Sequence, residues 1–403
     1  MRRWTFTSVA LALCTLGLAS GAAHAQFKEP DKVKIGFITD MSSLYADVEG
    51  KYGATAIQMA IDDFGGKVLG KPIELMSADH QNKADIAAGK AREWIDQQDI
   101  SLVFGGTNSA TALAMAKVAT EKKRVFVDNG AGTSVLTNEQ CSPYVVHYAF
   151  DTVALAKGTG KAVVDNGGKS WFFLTADYAF GHALEADTTK IVEANGGKVM
   201  GSVKTPLNAS DFSSFMLQAQ NSKAQILGLA NAGGDTVNSI KAAKEFGVTK
   251  DMKLAGLLIF FSDIHSLGVR NTEGLQFTTS WYWDLNAETR KFADKFMAKT
   301  KRRPSEIQAA DYSAAWNYLK AVEKAGTLEA DKVMATWKGM EINDFFGKGR
   351  IRPDGRYAHD MYLMEVKSPA ESKGTWDYYK LIKTLPADQV WTTKEESKCQ
   401  YWK

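Results

Sequence analysis

Short apolar runs alternate along the chain with segments of helical periodicity. The clearest case has an apolar run at 102–104, helix-period spacing over 110–121 and a second apolar run at 125–127. This order predicts a βαβ unit. Small and hydroxyl-bearing residues follow the two strands, at 105–109 and 128–134. Open α/β sheets bind ligands at the carboxyl ends of their strands, and helix N-termini offer free N–H groups, so these loops are predicted to hold a carboxylate or another small anionic group.

The same alternation extends through most of the chain. The other elements predicted for the first half are strands at 33–38 and 73–78 and helices at 52–64 and 85–98. The alternation restarts after about residue 150, with strands predicted at 171–175, 198–203, 225–230, 254–259 and 274–279, and helices at 154–166, 183–194, 212–219 and 235–246. Residues 287–340 are predicted to be largely helical, with late strands at 361–366 and 377–381. Alternation in both halves predicts an α/β fold with parallel sheets covered by helices.

Composition and charge narrow the range of functions. The chain has 403 residues, which suffices for two ordinary domains, and its 45% apolar and 24% charged residues are typical of a globular protein. The formal net charge is +3, and removal of Arg2 and Arg3 would lower it to +1. Such a balance gives no reason to expect nucleic acid or an anionic membrane surface as a partner.

The N-terminus has the three parts of an export signal. Arg2 and Arg3 are followed by an apolar centre at 9–18 and by the small-residue exit Ala23-His24-Ala25. Residues 1–25 are therefore predicted to be a signal peptide that is cleaved after Ala25, which places the mature chain in the periplasm. A membrane anchor is the alternative, but the apolar centre is shorter than the roughly 20 residues that span a bilayer. Lipid attachment at Cys14 is a further alternative, although Leu13 is bulky for such a signal.

The mature chain keeps two cysteines, Cys141 and Cys399. In an oxidising compartment two cysteines pair more often than not, so a disulfide is predicted to tie the C-terminal tail to the segment just before Tyr144. Two separate buried thiols are the alternative.

Signatures of catalysis are missing from the sequence. It contains no HExxH, CxxC, GxSxG, P-loop or complete GxGxxG, and no histidine has a partner at metal-ligand spacing. No metal or cofactor is therefore expected, and an enzyme is not indicated. What remains is a set of strand-end loops rich in Ser, Thr, Asn, Gly and aromatic residues, which is the composition of a binding cleft.

Four segments together resemble a known family. They are VKIGFITDMSSLYADVEGKYGATAIQMAIDD (33–63), GKPIELMSADHQNKADIAAGKAREWI (70–95), GGTNSATALAMAKVA (105–119) and LTADYAFGHALEADT (174–188). Their order and spacing are similar to those of the type I periplasmic solute-binding proteins of ABC importers, in the branched-chain amino-acid (Leu/Ile/Val) branch. The resemblance implies two Rossmann-like lobes joined by three crossovers, with one ligand cleft between them. It places 31–149 and 280–356 in lobe 1, and 150–279 and 357–403 in lobe 2.

The resemblance also implies site residues. Asn108, Ser109, Ala131, Gly132 and Thr133 lie in the lobe 1 loops, where Ser109 matches a carboxylate-binding serine, and Ala131 and Thr133 match positions that bind the α-amino and carboxylate groups. For Ser109 and Thr133, ordinary helix capping is the alternative.

Lobe 2 is expected to close over the ligand. Phe180 matches an aromatic residue that packs on the ligand, and Tyr178 and Asn231 are expected beside it.

The chain departs from the family at one position of the site. Amino-acid binders place an acidic residue for the ligand ammonium where Phe260-Phe261-Ser262 stands here. The counter-charge is then either missing or supplied by Asp235 or Asp177. Phe260 would instead add to an aromatic pocket, for which an aromatic or other apolar carboxylate is as suitable as an amino acid.

The sequence thus predicts a monomeric, exported binding protein that delivers a small carboxylate-bearing solute to an ABC permease and its ATPase at the inner membrane. A ligand sensor on the same fold, which signals to a receptor or regulator, is the first alternative. A secreted enzyme acting on a small acid is the second.

Overall fold

The computed structural model describes Met1, Trp4 and residues 27–403. The predicted signal peptide and its cleavage site therefore lie almost entirely outside the described residues. Among the described residues, no helix combines the length and the apolarity needed to cross a bilayer.

A six-stranded sheet forms the core of the first half. Its strands are β1 (Val33–Thr39), β2 (Lys67–Val68), β3 (Lys71–Asp79), β4 (Leu102–Gly105), β5 (Val125–Asp128) and β6 (Val145–His147). They lie in the order β2-β3-β1-β4-β5-β6, and every pair except β2–β3 is parallel. Helices α1 (Gly50–Asp63), α2 (Ala84–Gln98) and α3 (Ser109–Glu121) connect the strands. The parallel strands put their carboxyl ends at one edge, as the βαβ pattern predicts.

A four-stranded parallel sheet in the order β10-β9-β7-β8 forms the core of the second half. Its strands are β7 (Ser170–Ala176), β8 (Lys198–Thr205), β9 (Ile226–Ala230) and β10 (Lys253–Gly256). Two short helices precede these strands, α4 (Thr152–Leu155) and α5 (Lys161–Asp165), and two follow them, α9 (Phe261–Leu267) and α10 (Val269–Thr272). Three helices connect the strands: α6 (Ala179–Ala194), α7 (Ser213–Asn221) and α8 (Gly234–Glu245). The predicted end of β10 and the predicted start of α6 were wrong, and both boundaries affect the position of a phenylalanine. Strand β10 ends at Gly256, so residues 257–260 form a buried loop, and α6 begins at Ala179, so Phe180 lies in its first turn.

The remaining elements complete the two lobes. They are β11 (Gln276–Thr279), α11 (Ala287–Thr300), α12 (Glu306–Ala325), α13 (Ala330–Lys338), β12 (Ile342–Asn343), β13 (Lys348–Ile351), β14 (Tyr357–Ala358), β15 (Met361–Val366), β16 (Tyr379–Leu385) and α14 (Ala387–Val390). Antiparallel pairing joins β11-β15-β16 in one small sheet and β12-β13-β14 in another. The last strand runs to Leu385 rather than ending at 381. Helix α12 packs against α1, which attaches this return segment to the first sheet.

The crossovers between the lobes are held together by buried contacts. Between α4 and α5, residues Ala156–Gly160 form a widened π turn, in which a β-carbon on Gly158 would lie 2.2 Å from Thr278 Oγ1. The Thr159 and Thr278 hydroxyl oxygens are 2.9 Å apart. Buried Arg356 donates from Nε to the His147 carbonyl at 2.9 Å and lies over the Trp391 ring. Three chain passages are thus packed side by side.

The predicted disulfide is present. Cys141 and Cys399 are bonded, with their α-carbons 5.6 Å apart and a sequence separation of 258. The bond fixes the C-terminal tail to the segment that precedes β6.

Candidate functional site

The strand-end loops of the two sheets meet at a small cavity. The residues that line it are Tyr45, Val48, Thr107, Gly130 and Gly132 from the first sheet, and Tyr178, Phe180, Ala232, Leu258 and Phe260 from the second. The cavity measures about 10 Å³, which is room for about one water molecule. The lobes are therefore closed on each other, and the side chains of the cleft fill most of the space between them.

Two tyrosines join the lobes across this cavity. The hydroxyl oxygens of Tyr45 and Tyr178 are 2.6 Å apart, so one hydroxyl donates to the other. Burial raises the pKa of Tyr45 well above its ordinary value, and the neighbouring Tyr178 and the Asp235 carboxylate raise it further. The pKa of Tyr178 is also raised, chiefly by burial. Both side chains are therefore neutral hydrogen-bonding groups over the physiological range.

Aromatic rings form the apolar wall of the cavity. Phe180 is 2% exposed and lies against Gly132, where a β-carbon would be 2.6 Å from its Cε2 atom. The Phe180 ring centroid is 6.1 Å from that of Tyr178. Phe260 is also buried, and its ring centroid lies 6.4 Å from that of Phe150. The loop after the short strand β10 carries Phe260 into this wall, and contact of its ring with a ligand stays a prediction.

The predicted lobe 1 residues Asn108, Ser109, Ala131 and Thr133 lie next to the cavity but do not line it. Asn108 Oδ1 caps α3, accepting from the amides of Ala110 at 2.8 Å and Thr111 at 3.3 Å. Ser109 Oγ accepts from the Thr133 amide at 3.2 Å. The two loops are thus adjacent, as predicted, and Gly132 lies between them and Phe180. A role of the other four in ligand contact stays a prediction.

Capping accounts for some of this group. Thr133 Oγ1 accepts from the Val135 amide at 3.4 Å, which is the capping role given above as its alternative. The Ala131 carbonyl accepts from His147 Nε2 at 2.6 Å. Burial lowers the pKa of His147 well below its ordinary value, so this ring is neutral.

The polar residues of the second lobe differ in their availability. Asn231 donates to Ser239 Oγ and accepts from Thr236 Oγ1, both at 2.8 Å, so its amide is used within its own lobe. Asp235 Oδ2 accepts from the Asn208 amide at 3.0 Å, and Oδ1 is buried without a hydrogen-bond partner among the described residues. Burial raises the Asp235 pKa to about 6. Asp177 lies on the surface, bonded to His182 at 2.8 Å. Of the two candidates for an ammonium counter-charge, Asp235 is the buried one.

Three fully buried carboxyl groups lie behind the lobe 1 loops. Glu49 directly precedes α1 and accepts from Thr39 Oγ1, which is 2.9 Å from Thr107 Oγ1 at the cavity wall. Asp311 Oδ1 accepts from Asn129 at 2.7 Å. Burial raises the pKa of Glu49 to about 7, and it raises the values of Asp311 and Asp128 well above their ordinary range. Burial therefore favours the protonated form of all three carboxyl groups. Among the described residues, no His, Cys, Asp or Glu cluster has an arrangement that could hold a metal ion.

Sequence reasoning missed Tyr45, Val48, Thr107, Gly130, Ala232 and Leu258 of the lining. Thr107 lies within the predicted ligand loop 105–109 and Gly130 within the predicted ligand loop 128–134, so these loops already pointed to them. Tyr45 and Val48 lie in the irregular segment between β1 and α1, where no periodicity indicates which side chains turn inward.

Comparison with known proteins identifies the family of the chain. Residues 32–375 match the family described as periplasmic binding proteins. The chain belongs to this family. Its members are solute-binding proteins of the type I fold, which agrees with the resemblance and with the fold drawn from it.

Solved structures support the same assignment. A periplasmic binding protein of Burkholderia mallei is 65% identical, with a TM-score of 0.92 over 93% of this chain and 100% of the other. A branched-chain amino-acid ABC transporter ligand-binding protein of Burkholderia xenovorans LB400 is 38% identical, with a TM-score of 0.83 over 92% and 100%. A solute-binding protein of Rhodopseudomonas palustris BisB5, solved with 3,4-dihydroxybenzoic acid, is 26% identical, with a TM-score of 0.80 over 89% and 98%. This periplasmic binding protein therefore aligns with its relatives over nearly their whole length.

Proposed function

We propose that this periplasmic binding protein is the substrate-binding component of an ABC importer. It binds a small carboxylate-bearing solute between its lobes and hands it on chemically unchanged. The observation that carries the proposal is the cavity, which lies where the strand-end loops of both sheets meet and which neither lobe forms alone. A site shared by two lobes is the arrangement that hinge closure uses to enclose a ligand.

The solute is an amino acid or an aromatic or apolar carboxylate. Phe180 and Phe260 supply apolar walls suited to a ring or a branched side chain. One relative described above is named for branched-chain amino-acid transport, and another was solved with a dihydroxybenzoic acid. Buried Asp235 offers a counter-charge for an ammonium. Phe260 stands where the family resemblance implies an acidic residue in amino-acid binders. The two solute types therefore differ in whether they would use Asp235.

Binding proceeds in two stages under this proposal. The solute first meets the lobe 1 loops, where Ser109 and Thr133 offer hydroxyl and amide groups for its carboxylate. Lobe 2 then adds Tyr178, Phe180 and Asn231 and excludes water. Because the Thr133 amide is bonded to Ser109 Oγ in the closed structure, the solute carboxylate must replace this bond. The solute shifts the population of closed molecules only as far as it binds them more tightly than open ones.

The proposal also includes export, the partner subunits and the boundaries of the two lobes. The chain is cleaved after Ala25 and works as a monomer in the periplasm, where its partners are the permease and ATPase subunits at the inner membrane. The lobes comprise 31–149 with 280–356, and 150–279 with 357–403. The Cys141–Cys399 bond is consistent with an oxidising compartment.

A thermal-shift screen of amino acids against aromatic acids tests the proposal. A solute that binds only the folded protein adds about 2.7 kcal/mol of stability at 100 times its dissociation constant, which is a readily measured shift. We expect at least one carboxylate to bind and to be recovered unaltered by chromatography. Conversion of the bound solute would instead indicate an enzyme, and the absence of any shift across both classes would remove the proposed solute.

A further inference from the structure

Each lobe places an aromatic ring against a glycine of the other lobe. Phe180, which follows β7, lies on Gly132, which follows β5, and a β-carbon there would be 2.6 Å from the ring. Tyr45, which follows β1, lies on Gly233, which follows β9, and a β-carbon there would be 3.2 Å from the ring. The two contacts run in opposite directions across the cleft, so they fix the closed lobes at two separate points.

We propose that Gly132 and Gly233 are specificity-determining positions, because these two ring-on-glycine contacts set how closely the lobes can approach and hence how tightly the cleft can close around a compact solute. This inference rests on the proposed solute-binding function. The cavity of about 10 Å³ shows how near the approach is. A larger residue at either position would hold the lobes apart and leave a compact solute with fewer contacts.

The two glycines differ in what a substitution would test. Gly233 has φ of +59°, which an L-residue rarely adopts, so alanine there would strain the loop as well as block the ring. Gly132 has no such backbone demand. Its nearest obstacle is Phe180, while Phe150 lies at 3.2 Å and needs to yield only slightly. Gly132→Ala therefore acts mainly on the contact between the lobes.

The chain offers two matched controls. At Gly234 a β-carbon would meet the tip of the flexible Leu44 side chain at 2.8 Å, which can rotate away, so Gly234→Ala tests a cleft glycine that receives no ring. At Gly89, in α2, nothing lies within 4 Å of the added carbon. A third variant combines Gly132→Ala with Phe180→Leu, which shortens the opposing side chain and is expected to restore closure.

The experiment measures lobe separation and affinity in the mature chain. Spin labels at the exposed positions Lys117→Cys and Lys241→Cys report the distance between α3 and α8 by pulsed electron resonance, since the native cysteines are bonded to each other. Calorimetry with benzoate and biphenyl-4-carboxylate, and with L-valine and L-tryptophan, compares compact and large solutes. We expect Gly132→Ala to lose the short distance of the closed form. Its affinity for the compact solute that the wild type binds should be at least about tenfold weaker than that of the wild type. The larger solute of the pair should lose less.

The controls decide between outcomes. Wild-type distances and affinities in Gly234→Ala and Gly89→Ala, together with recovery of the closed distance in the Phe180→Leu double variant, support the inference. A wild-type closed distance in Gly132→Ala, or a wild-type chain with no closed distance at all, overturns it. If no probe binds the wild type, the proposed solute class fails, while the distance measurement still decides the role of the glycine.

Discussion

The hydroxyl oxygens of Tyr45 and Tyr178 lie 2.6 Å apart, although the two residues follow strands of different sheets. No other side chain hydrogen-bonds to either hydroxyl among the described residues. The bond therefore exists only while the lobes are closed, and it contributes to closure rather than to the folding of either lobe. This separates its effect on ligand affinity from its effect on stability.

Removal of one hydroxyl of this pair should weaken solute binding. In Tyr178→Phe the Tyr45 hydroxyl is left buried without a partner in the closed form, which costs about 1–3 kcal/mol. The affinity measured by calorimetry should fall by about fivefold or more, and the melting temperature of the solute-free protein should stay within about 1–2 °C. The double variant Tyr45→Phe/Tyr178→Phe should recover some of the loss, because it leaves no unpaired hydroxyl. Tyr401→Phe, on the exposed tail, is the control; equal losses in all three tyrosine variants would contradict the pairing.

Ser109→Ala should weaken binding of a carboxylate without unfolding the protein. The change removes a hydroxyl that accepts from the Thr133 amide and that is predicted to donate to the solute. Hydrogen bonds to charged groups contribute about 1.5–3 kcal/mol, so we expect at least a tenfold rise in the dissociation constant by calorimetry. Unchanged affinity would remove Ser109 from the site. Asn108→Ala serves as the comparison, because loss of the α3 cap should lower stability by about 1 kcal/mol.

The buried Glu49 should make the protein less stable as the pH rises. Its pKa is about 7 when folded and near 4.5 when unfolded, so between these values the folded state holds a proton that the unfolded state has released. Stability from this group is therefore complete below pH 4.5 and is lost as the pH rises towards 7. Glu49→Gln keeps an acceptor for Thr39 and should flatten urea-unfolding free energies over this window by on the order of 1–3 kcal/mol. A curve parallel to the wild type, as expected for the exposed control Glu245→Gln, would refute the assignment.

The disulfide should contribute stability without affecting the site. Bonds that close long loops typically contribute about 2–5 kcal/mol, and this one closes 258 residues. The double variant Cys141→Ser/Cys399→Ser should lower the denaturant midpoint, whereas its affinity for the solute should match the wild type because neither residue lines the cavity. Adding a reductant to the wild type provides an independent comparison. An affinity change of about tenfold or more would show that the tail takes part in closure.

Much of the fold could be predicted from the sequence because local patterns determine it. The strand and helix order of both halves follows from apolar periodicity, and Gly65-Gly66 ends α1 where predicted. The strand predicted at 254–259 shows where such reasoning stops. Residues 257–260 are apolar and buried, as a central strand would be, but they leave the sheet to cover the cavity with Leu258 and Phe260. An apolar run in the sequence predicts that its residues are buried. It does not tell whether neighbouring strands or the cavity side of the cleft bury them.

The site was less predictable for a related reason. Gly132, Tyr178, Phe180 and Phe260 could be named because the family resemblance marks positions that directly follow recognisable strands. The inward turn of Tyr45 depends on Asp40, which accepts hydrogen bonds from the backbone of Ser43 and Tyr45 and so folds the loop back. The pairing of buried carboxyl groups joins residues far apart in sequence, such as Glu49 and Asp311, and no spacing rule reveals it.

The π turn beside Thr278 has a practical consequence for anyone who builds a fluorescent sensor on this protein. Gly158 leaves no space for a side chain there, and the neighbouring Thr159 hydroxyl holds the second passage in place. A reporter domain inserted into that turn would push apart the chain crossovers that must bend together when the lobes close. The fluorescence of the sensor would then no longer report solute binding. The turn at Gly196, where nothing lies within 4 Å of an added carbon, is a better insertion point.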